Sequence, residues 1–468
     1  MIFSIDAADH GRKTALIDAS GGEAWDYGQL AGEVGSRIAA LRSACKSLVF
    51  QFCRNSPSMV AWYLAAIEAG HAVALLPENL DPQLRDNLIQ LFRPEFILLP
   101  EAPGEHYRPG PLPAFWLRQP DNIESARLYP ELSLLLSTSG STGSPKFVRL
   151  SRNNVEANAS SIQQALGITD THRPISHLPM HYSYGLSVIN SHLLAKAPVI
   201  LTSESLISAG FWKAVDSYRV TSFSGVPYTY QMLRRLNIDR LKAPSLTVMT
   251  QAGGKLDNDT ILHFHSKMVE RKGGFWTMYG QTEAVARIAV LPSDRLPAKI
   301  GSAGQAIPGG SLSIETEDGI AAQPDIAGEL VYYGPNVMLG YALERSDLGR
   351  GDDLLGCLHT GDRAVLDAEG FVSILGRARR DAKVFGLRIN LDEVELLVKA
   401  YGPAAVIGGS DKLIVFCEFG DEAGLRLVHA QLSAKLKLHP SAVDCRRIDK
   451  LPTNVSGKID YTSLASFA

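Results

Sequence analysis

The sequence predicts an α/β protein: a large N-terminal domain of several subdomains, residues 1–377, with mixed or parallel sheets under helices, and a small α+β C-terminal domain, residues 378–468. Three observations carry this. Helix-like and strand-like stretches alternate from Thr14 to Pro100, the texture of a sheet covered by helices. Further along, short apolar strands at Leu134, Leu246 and Phe275 run directly into loops rich in Gly, Ser and Thr. After Leu375 the run GRARRDAKVFGLRIN interrupts this pattern, and a unit of roughly ninety residues follows.

Tyr27 to Leu41 reads as a helix, Ser47 to Phe52 as a strand, Ser58 to Ala69 as a helix stopped by Gly70, and His71 to Leu76 as the next strand. Glu101 to Pro130, with its prolines, glycines and single charges, has no clear period and reads as a connection. Asn153 or Asn154 is placed to cap a helix that runs to Leu166 and stops at Gly167. Leu186 to Leu194 reads as a buried helix, and Leu246 to Thr250 and Phe275 to Met278 as strands. Glu315 to Gly340 alternates apolar residues with Gly and Pro, as β-hairpins do, and a β-barrel-like part is expected there. In the C-terminal domain, Asn390 and Glu393 form a capping box for a helix whose apolar stripe is Val394, Leu397, Val398 and Tyr401. Leu413 to Phe419 then reads as a strand and Leu425 to Leu438 as an amphipathic helix.

Hydrophobic residues at 45% and charged residues at 20% describe a soluble globular protein. A net charge of −3 gives no reason to expect nucleic acid as a partner. No run approaches a membrane span, so no membrane insertion is expected, and the start MIFSIDAADHGRKT lacks the basic and apolar regions of a signal peptide. The expected compartment is the cytoplasm. Cys45, Cys53, Cys357, Cys417 and Cys445 contain no CxxC pair, so neither a zinc site nor a disulfide framework is indicated, and all five are expected buried or half-buried. His263 and His265 would fall on different sides of a helix and read as packing or surface residues.

The stretch Leu134 to Leu150, LLLSTSGSTGSPKFVRL, has the chemistry of an anion cradle. Gly140 and Gly143 let backbone N–H groups approach a ligand, the hydroxyls of Ser137 to Ser144 add donors, and Lys146 supplies charge. It is not a Walker A loop, because Phe147 follows the lysine where Ser or Thr would stand, and Pro145 opposes the helix such a loop runs into.

This loop resembles the phosphate-binding signature of the adenylate-forming superfamily, which includes acyl-CoA synthetases, peptide-synthetase adenylation domains and luciferases. HLPMHYSYG from His177, SGVPY from Ser224, QAGGKL from Gln251, YGQTEA from Tyr279, HTGDRA from His359, the pair Gly376–Arg377 and SGKID from Ser456 follow in the superfamily's order. The resemblance implies that Thr138, Ser139, Gly140, Ser141, Thr142, Gly143 and Lys146 hold the phosphates of ATP. Ala252, Gly253 and Gly254 would lie against the adenine, Tyr279 would stack on it beside Gly280 and Gln281, and Thr282 would bond a phosphate oxygen. Glu283 is a hard oxygen ligand suited to Mg²⁺. Asp362 would accept hydrogen bonds from the ribose hydroxyls as a fixed carboxylate at a strand end, with Arg377 as a second contact. His181 or Tyr182, Gly185, Ser224, Gly225 and Val226 would line the acid pocket, Arg379 would be the hinge of a mobile C-terminal lid, and Lys458, Glu283 and His181 are the candidate catalytic residues.

The implied activity is an ATP-dependent, AMP-forming ligase. It would activate a small carboxylic acid as an acyl-adenylate, then pass the acyl group to the thiol of CoA or to the phosphopantetheine of an acyl or peptidyl carrier protein. Relatives that take α-amino acids place an Asp in the pocket segment, where a buried ammonium needs a partner. Here the matching position is Gly185, and no acidic residue lies between His177 and Leu201. The expected acid is therefore fatty, branched or aryl, without an amino group. The rivals are an amino-acid-activating or amide-forming enzyme and a nucleotide-binding module without catalysis. Phe147 departs from the superfamily's usual glycine and has no explanation at the level of sequence.

Overall fold

The computed structural model describes residues 11–119, 127–137, 146–236, 243–316, 321–377, 381–384, 387–409, 411–436, 438–453 and 459–467. By packing they form two units. One holds the residues up to Leu312 together with Tyr332–Leu358, and the other holds Ser313–Val331 and the chain from His359 onward.

Two sheets build the first unit. In one, Leu132–Ser137, Ala72–Pro77, Leu48–Cys53 and Phe96–Leu98 run parallel side by side. Phe147–Ser151 and then Gly340–Ala342 extend it antiparallel beyond Leu132–Ser137. At the opposite edge Phe115–Arg118 and Tyr107–Pro109 are added, also antiparallel. The stretch Glu101 to Pro130 is thus more than a connection. Its two strands are three and four residues long, too short for an alternating pattern to emerge among the prolines and glycines.

In the other sheet, Thr14–Asp18, Val199–Leu201, Pro174–Ser176, Ser222–Gly225, Val248–Gln251 and Gly274–Tyr279 are parallel neighbours. Antiparallel Ala289–Leu291 and Gln305–Ala306 close one edge and Ala24–Asp26 the other. Six consecutive buried residues in Leu48–Cys53 show why the parallel strands read as continuous apolar runs.

The helices start where local chemistry fixes them. Asp26 and Gln29 form a capping box for Tyr27–Ala40. Ser56 caps Pro57–Glu68, with Pro57 in its first turn. The helix Arg152–Leu166 is capped by Ser151, not by Asn153 or Asn154: the Ser151 hydroxyl accepts from the Asn154 N–H at 3.0 Å, and the Asn154 side chain accepts from the Ser151 N–H at 2.8 Å. Asn154 is therefore the reciprocal partner in the box. Gly167 ends this helix at φ +61°, as the sequence implies.

Phe147 belongs to the core. It is fully buried at the start of its strand, with ring centroids 5.0 Å from Phe92 and 6.2 Å from Phe50. Two residues on, the fully buried Arg149 donates to the carbonyls of Leu339, Tyr341, Arg350 and Gly351 and pairs with Asp353 at 2.6 Å. One guanidinium thereby fastens the edge strand Gly340–Ala342 to the sheet, and losing such a buried pair costs about 3–5 kcal/mol.

Most of a four-stranded sheet of Ser311–Glu315, Gly328–Tyr333, Cys357–Leu366 and Val372–Arg377 belongs to the second unit. Next come the hairpin Asp381–Val384 with Leu387–Asn390 and a three-stranded sheet, in which Lys412–Cys417 lies between antiparallel Ala404–Gly409 and parallel Val443–Arg447. The helices Leu391–Lys399 and Glu422–Leu436 accompany them. Val394 and Val398 are fully buried and Leu397 packs at the rim, but Tyr401 lies past the helix end, is exposed, and bonds Gln431 through its hydroxyl.

Cys53 and Cys417 are buried and Cys357 and Cys445 partly so; Cys45 is exposed, contrary to expectation, in the surface turn before Leu48–Cys53. His265 bonds the Ser293 carbonyl at 2.9 Å and His263 lies edge-on to Phe264, which are packing roles. Among the described residues no helix is long and apolar enough to cross a membrane.

Candidate active site

The predicted segments of the first unit follow the C-terminal ends of adjacent parallel strands. Gly225, Gln251 and Thr277 are in register on three neighbours, so SGVPY, QAGGKL and YGQTEA emerge side by side. Such an edge is where open α/β sheets hold ligands.

Ala252 donates its N–H to the Gly225 carbonyl at 3.2 Å, and the Gly254 carbonyl accepts from the Gln251 side chain at 2.7 Å. Gly253 has φ +85°, and a β-carbon there would stand 2.8 Å from the Tyr182 hydroxyl and 3.2 Å from Val226. The proposed adenine loop and the acid-pocket segment are therefore in contact, and only glycine fits between them. Gly225 packs as closely on Thr229 and Tyr230.

The YGQTEA segment folds back on itself. The Tyr279 hydroxyl accepts from the Gln281 side chain at 3.0 Å, and the hydroxyls of Thr282 and Ser183 lie 3.2 Å apart. A 3₁₀ turn over Thr282–Ala284 runs into Val285 at φ +64° and ψ −48°, where the Ala286 N–H bonds the Ala284 carbonyl at 2.7 Å. That is a γ-turn, a strained backbone for a β-branched residue, costing roughly 1–3 kcal/mol. It reverses the chain between a half-buried Glu283 and a fully buried Arg287.

Glu283 is held twice. Its carboxylate accepts from the Tyr341 hydroxyl at 2.9 Å, and its carbonyl accepts from the Met338 N–H at 2.9 Å. The Lys146 ammonium stands 3.2 Å from the centre of the Tyr341 ring. The cation at the end of the first motif and the carboxylate of another thus share one tyrosine.

In the acid-pocket segment, burial takes the His181 imidazole to about 4, so it is neutral, and its Nδ1 has no hydrogen-bond partner. Tyr182 is pushed up to about 12, chiefly by burial, and keeps its proton. The Ser224 hydroxyl lies 2.9 Å from that of Thr250. Gly185 does not open onto the pocket: a β-carbon there would meet the carbonyls of Pro179 and Leu178 at 2.3 and 2.6 Å.

In the second unit Asp362 is 5% exposed, inside the strand Cys357–Leu366 rather than at its end, and opposite Arg377 in the ladder. Its N–H bonds the Thr360 hydroxyl at 3.1 Å. Thr138, Ser139, Gly140, Ser141, Thr142, Gly143, Arg379, Lys458 and the side chain of Arg377 lie outside the described residues.

Two residues escape sequence reasoning. Tyr341 carries no motif, and only strand pairing brings it to Lys146. Arg287 had a signal, a lone cation within the apolar run AVARIAVL.

The buried histidines give the fold a pH dependence. His177 is stacked on Phe223 with centroids 4.8 Å apart, both its ring nitrogens lack partners, and burial depresses it to about 4, as it does His181 and His192. Each has a folded value below its unfolded value, so its stabilising contribution is complete above about pH 6.5 and is lost as pH falls toward 4. Urea unfolding from pH 7 to 4.5 should show this decline, and His177→Phe, which keeps the stack, should flatten it by about 1.4 kcal/mol per pH unit. An unchanged slope in the variant would refute the assignment.

A family model described as AMP-binding enzyme matches residues 3–342. A Bacillus cereus protein named 2-succinylbenzoate–CoA ligase is 33% identical over 299 residues, 62% of this chain and 60% of that protein, so this alignment spans less than two thirds of that relative. A protein of the same name from another Bacillus cereus strain is 31% identical over 356 residues, 72% of this chain and 71% of that protein. Among solved structures, O-succinylbenzoate coenzyme A synthetase from Bacillus subtilis in complex with AMP superposes with a TM-score of 0.79 over 99% of this chain and 97% of that one. Its sequence identity is 22%, and the likeness is one of fold.

Proposed function

Because this chain belongs to the AMP-binding enzyme family, we propose that it is an ATP-dependent, AMP-forming acid–thiol ligase acting on a carboxylic acid without an α-amino group. The observation that carries this reading is the Glu283 carboxylate fixed by Tyr341 beside the Lys146 ammonium. Attack of a carboxylate on the α-phosphorus of ATP brings an anion to a polyanion, so charge compensation is the main catalytic need.

The residues fit Mg²⁺–ATP. Among the described residues no group of three or more His, Cys, Asp or Glu could cage a metal ion, so a cation at Glu283 would be held mainly by phosphate and water oxygens, the habit of Mg²⁺. When bound there, it would neutralise charge on the leaving pyrophosphate. Lys146 and the preceding loop would hold the β and γ phosphates, Thr282 an α-phosphate oxygen, and the glycines 253 and 254 the adenine. Asp362 and Arg377 would hold the ribose. The neutral His181 and the protonated Tyr182 can only donate or accept hydrogen bonds, which suits orienting the acid rather than pairing with it as a charge.

Residues 378–468 would act as the lid that carries Lys458, with Arg379 as its hinge. In one position Lys458 bridges the carboxylate and the α-phosphate and excludes water; in the other it withdraws and admits the thiol. CoA is the acceptor favoured by the names of the relatives, with a carrier protein as the alternative, and the cytoplasm supplies ATP and CoA together. The closed approach at Gly185 and the lack of acidic residues from His177 to Leu201 speak against amino acids.

The test is exchange of labelled pyrophosphate into ATP over a panel of fatty, branched and aryl acids, with 2-succinylbenzoate and amino acids included. Active acids are then incubated with CoA and with a phosphopantetheinylated carrier, and the products are weighed. A thioester from a non-amino acid is expected. Silence across the panel would favour a non-catalytic nucleotide-binding module, and exchange with amino acids alone would overturn the reading of the pocket.

A further inference from the structure

Asn55 lies just past the end of the strand Leu48–Cys53 and directly before Ser56, the cap of Pro57–Glu68. It is 7% exposed. Its Nδ2 donates to the carbonyls of Ser176 and Leu178, both at 2.9 Å, and its Oδ1 accepts from the Met180 N–H at 2.8 Å. Both amide hydrogens and the amide oxygen are therefore used on one short stretch of backbone. Only a primary amide offers that set: a carboxylate has no hydrogen for the two carbonyls, and a hydroxyl has one.

The amide and its partners belong to different sheets. Leu48–Cys53 pairs with Ala72–Pro77, which pairs with Leu132–Ser137, the strand that precedes the proposed phosphate loop in the chain. Ser176 ends the strand Pro174–Ser176 of the other sheet, and the stretch from Ser176 to Met180 leads directly into His181 and Tyr182. Gly185 is seated against the same backbone. The Leu178 carbonyl that accepts from Asn55 would be 2.6 Å from a β-carbon at 185, and the Pro179 carbonyl, 2.3 Å from it, accepts from the Tyr182 N–H at 3.0 Å. Three bonds from one side chain and a helix turn packed on the same carbonyls leave this stretch one position relative to the first sheet.

Resting on the ligase reading, we infer that Asn55 is a positioning residue for adenylation. Its amide holds the acid-pocket segment of one sheet at a fixed distance from the sheet that carries the proposed phosphate loop, and thereby sets how the acid's carboxylate approaches the α-phosphorus of ATP. That step joins two separately bound anions, and a displacement of about 1 Å in one of them can cost about 10²-fold. Asn55 acts through the backbone of residues 176–180 and not by contact with either substrate. Once the acyl-adenylate has formed, its two halves are one molecule, and attack by the thiol no longer depends on that alignment.

The test is Asn55→Ala, assayed well below its own unfolding midpoint with the most active acid of the panel. In pyrophosphate exchange, kcat/KM for the acid should fall by about 10- to 100-fold, while the KM for ATP and the rate of thioester formation from the matching acyl-adenylate stay within about twofold of wild type. Asn55→Asp keeps the volume but turns a carboxylate oxygen toward two carbonyls, and should show the same split. Asn190→Ala is the control for lost stability. It removes a buried bond to the Tyr63 hydroxyl, 3.1 Å long, that does not involve residues 176–180, and should keep wild-type kinetics. Equal losses in both half-reactions would overturn the inference, as would wild-type exchange by folded Asn55→Ala or the same split in Asn190→Ala. Failure of both Asn55 variants to fold would assign the amide to folding alone and overturn it too. Each of these results leaves the ligase reading standing, whereas silence of the wild-type enzyme with every acid would sink that reading itself.

Discussion

Lys458→Ala is expected to lower acid-dependent pyrophosphate exchange by about 10²–10³-fold, the usual cost of removing a group that stabilises developing charge, while thioester formation from a supplied acyl-adenylate stays largely intact. The asymmetry follows from where the charge problem lies. Adenylation joins two anions and needs a cation between them. Thiol attack on the mixed anhydride expels AMP and has no comparable repulsion to overcome. Lys458 belongs to the sequence SGKID, on the part of the chain proposed to move between the half-reactions. Both half-reactions should be measured on the same preparation. Equal loss in both would contradict a lysine that serves only the first.

Glu283→Gln should reduce adenylation by a similar factor, about 10²–10³-fold, with the deficit partly relieved by raising Mg²⁺. The amide keeps the shape and can still accept from Tyr341, so the variant removes charge and little else. Tyr341→Phe provides the contrast. It leaves the carboxylate charged but unfastened and deprives Lys146 of nothing but the hydroxyl edge of its ring, so a loss of about tenfold is expected, with thermal stability nearly unchanged. If Tyr341→Phe cost as much as Glu283→Gln, the tyrosine would be touching the reacting atoms. If Glu283→Gln showed no change in its Mg²⁺ requirement, Glu283 would not be the metal ligand.

The contrast between these residues also explains what the sequence discloses. Glu283, Thr282 and Gly253 stand in short loops directly after strands and Lys146 directly before one, where one stretch of chain both shapes the backbone and presents the side chain. Their chemistry is therefore visible locally. Tyr341 reaches Lys146 because Gly340–Ala342 pairs with Phe147–Ser151, strands almost 200 residues apart, and no local pattern encodes that register. Arg287 is a lone cation among alanines and valines, but its burial against the Tyr184 ring follows from packing that no local pattern encodes. Phe147 had no explanation at the level of sequence, and the structure supplies one: its ring packs against Phe50 and Phe92. The capping of Arg152–Leu166 was misplaced by two or three residues, because Ser151 and Asn154 are equally good caps in isolation and only the strand ending at Ser151 decides between them.

Gly185 bears on how such an enzyme could diversify. A pocket that accepts amino acids would need an acidic side chain in this segment, and a single base change can turn a glycine codon into one for aspartate. Here that step is closed, since the first carbon of any side chain would run into the carbonyls of Leu178 and Pro179. The route to amino acids would require the 178–179 backbone to shift first, a change that by itself brings no new substrate. Change within this segment is thereby confined to positions other than 185 for as long as the 178–179 backbone keeps its course.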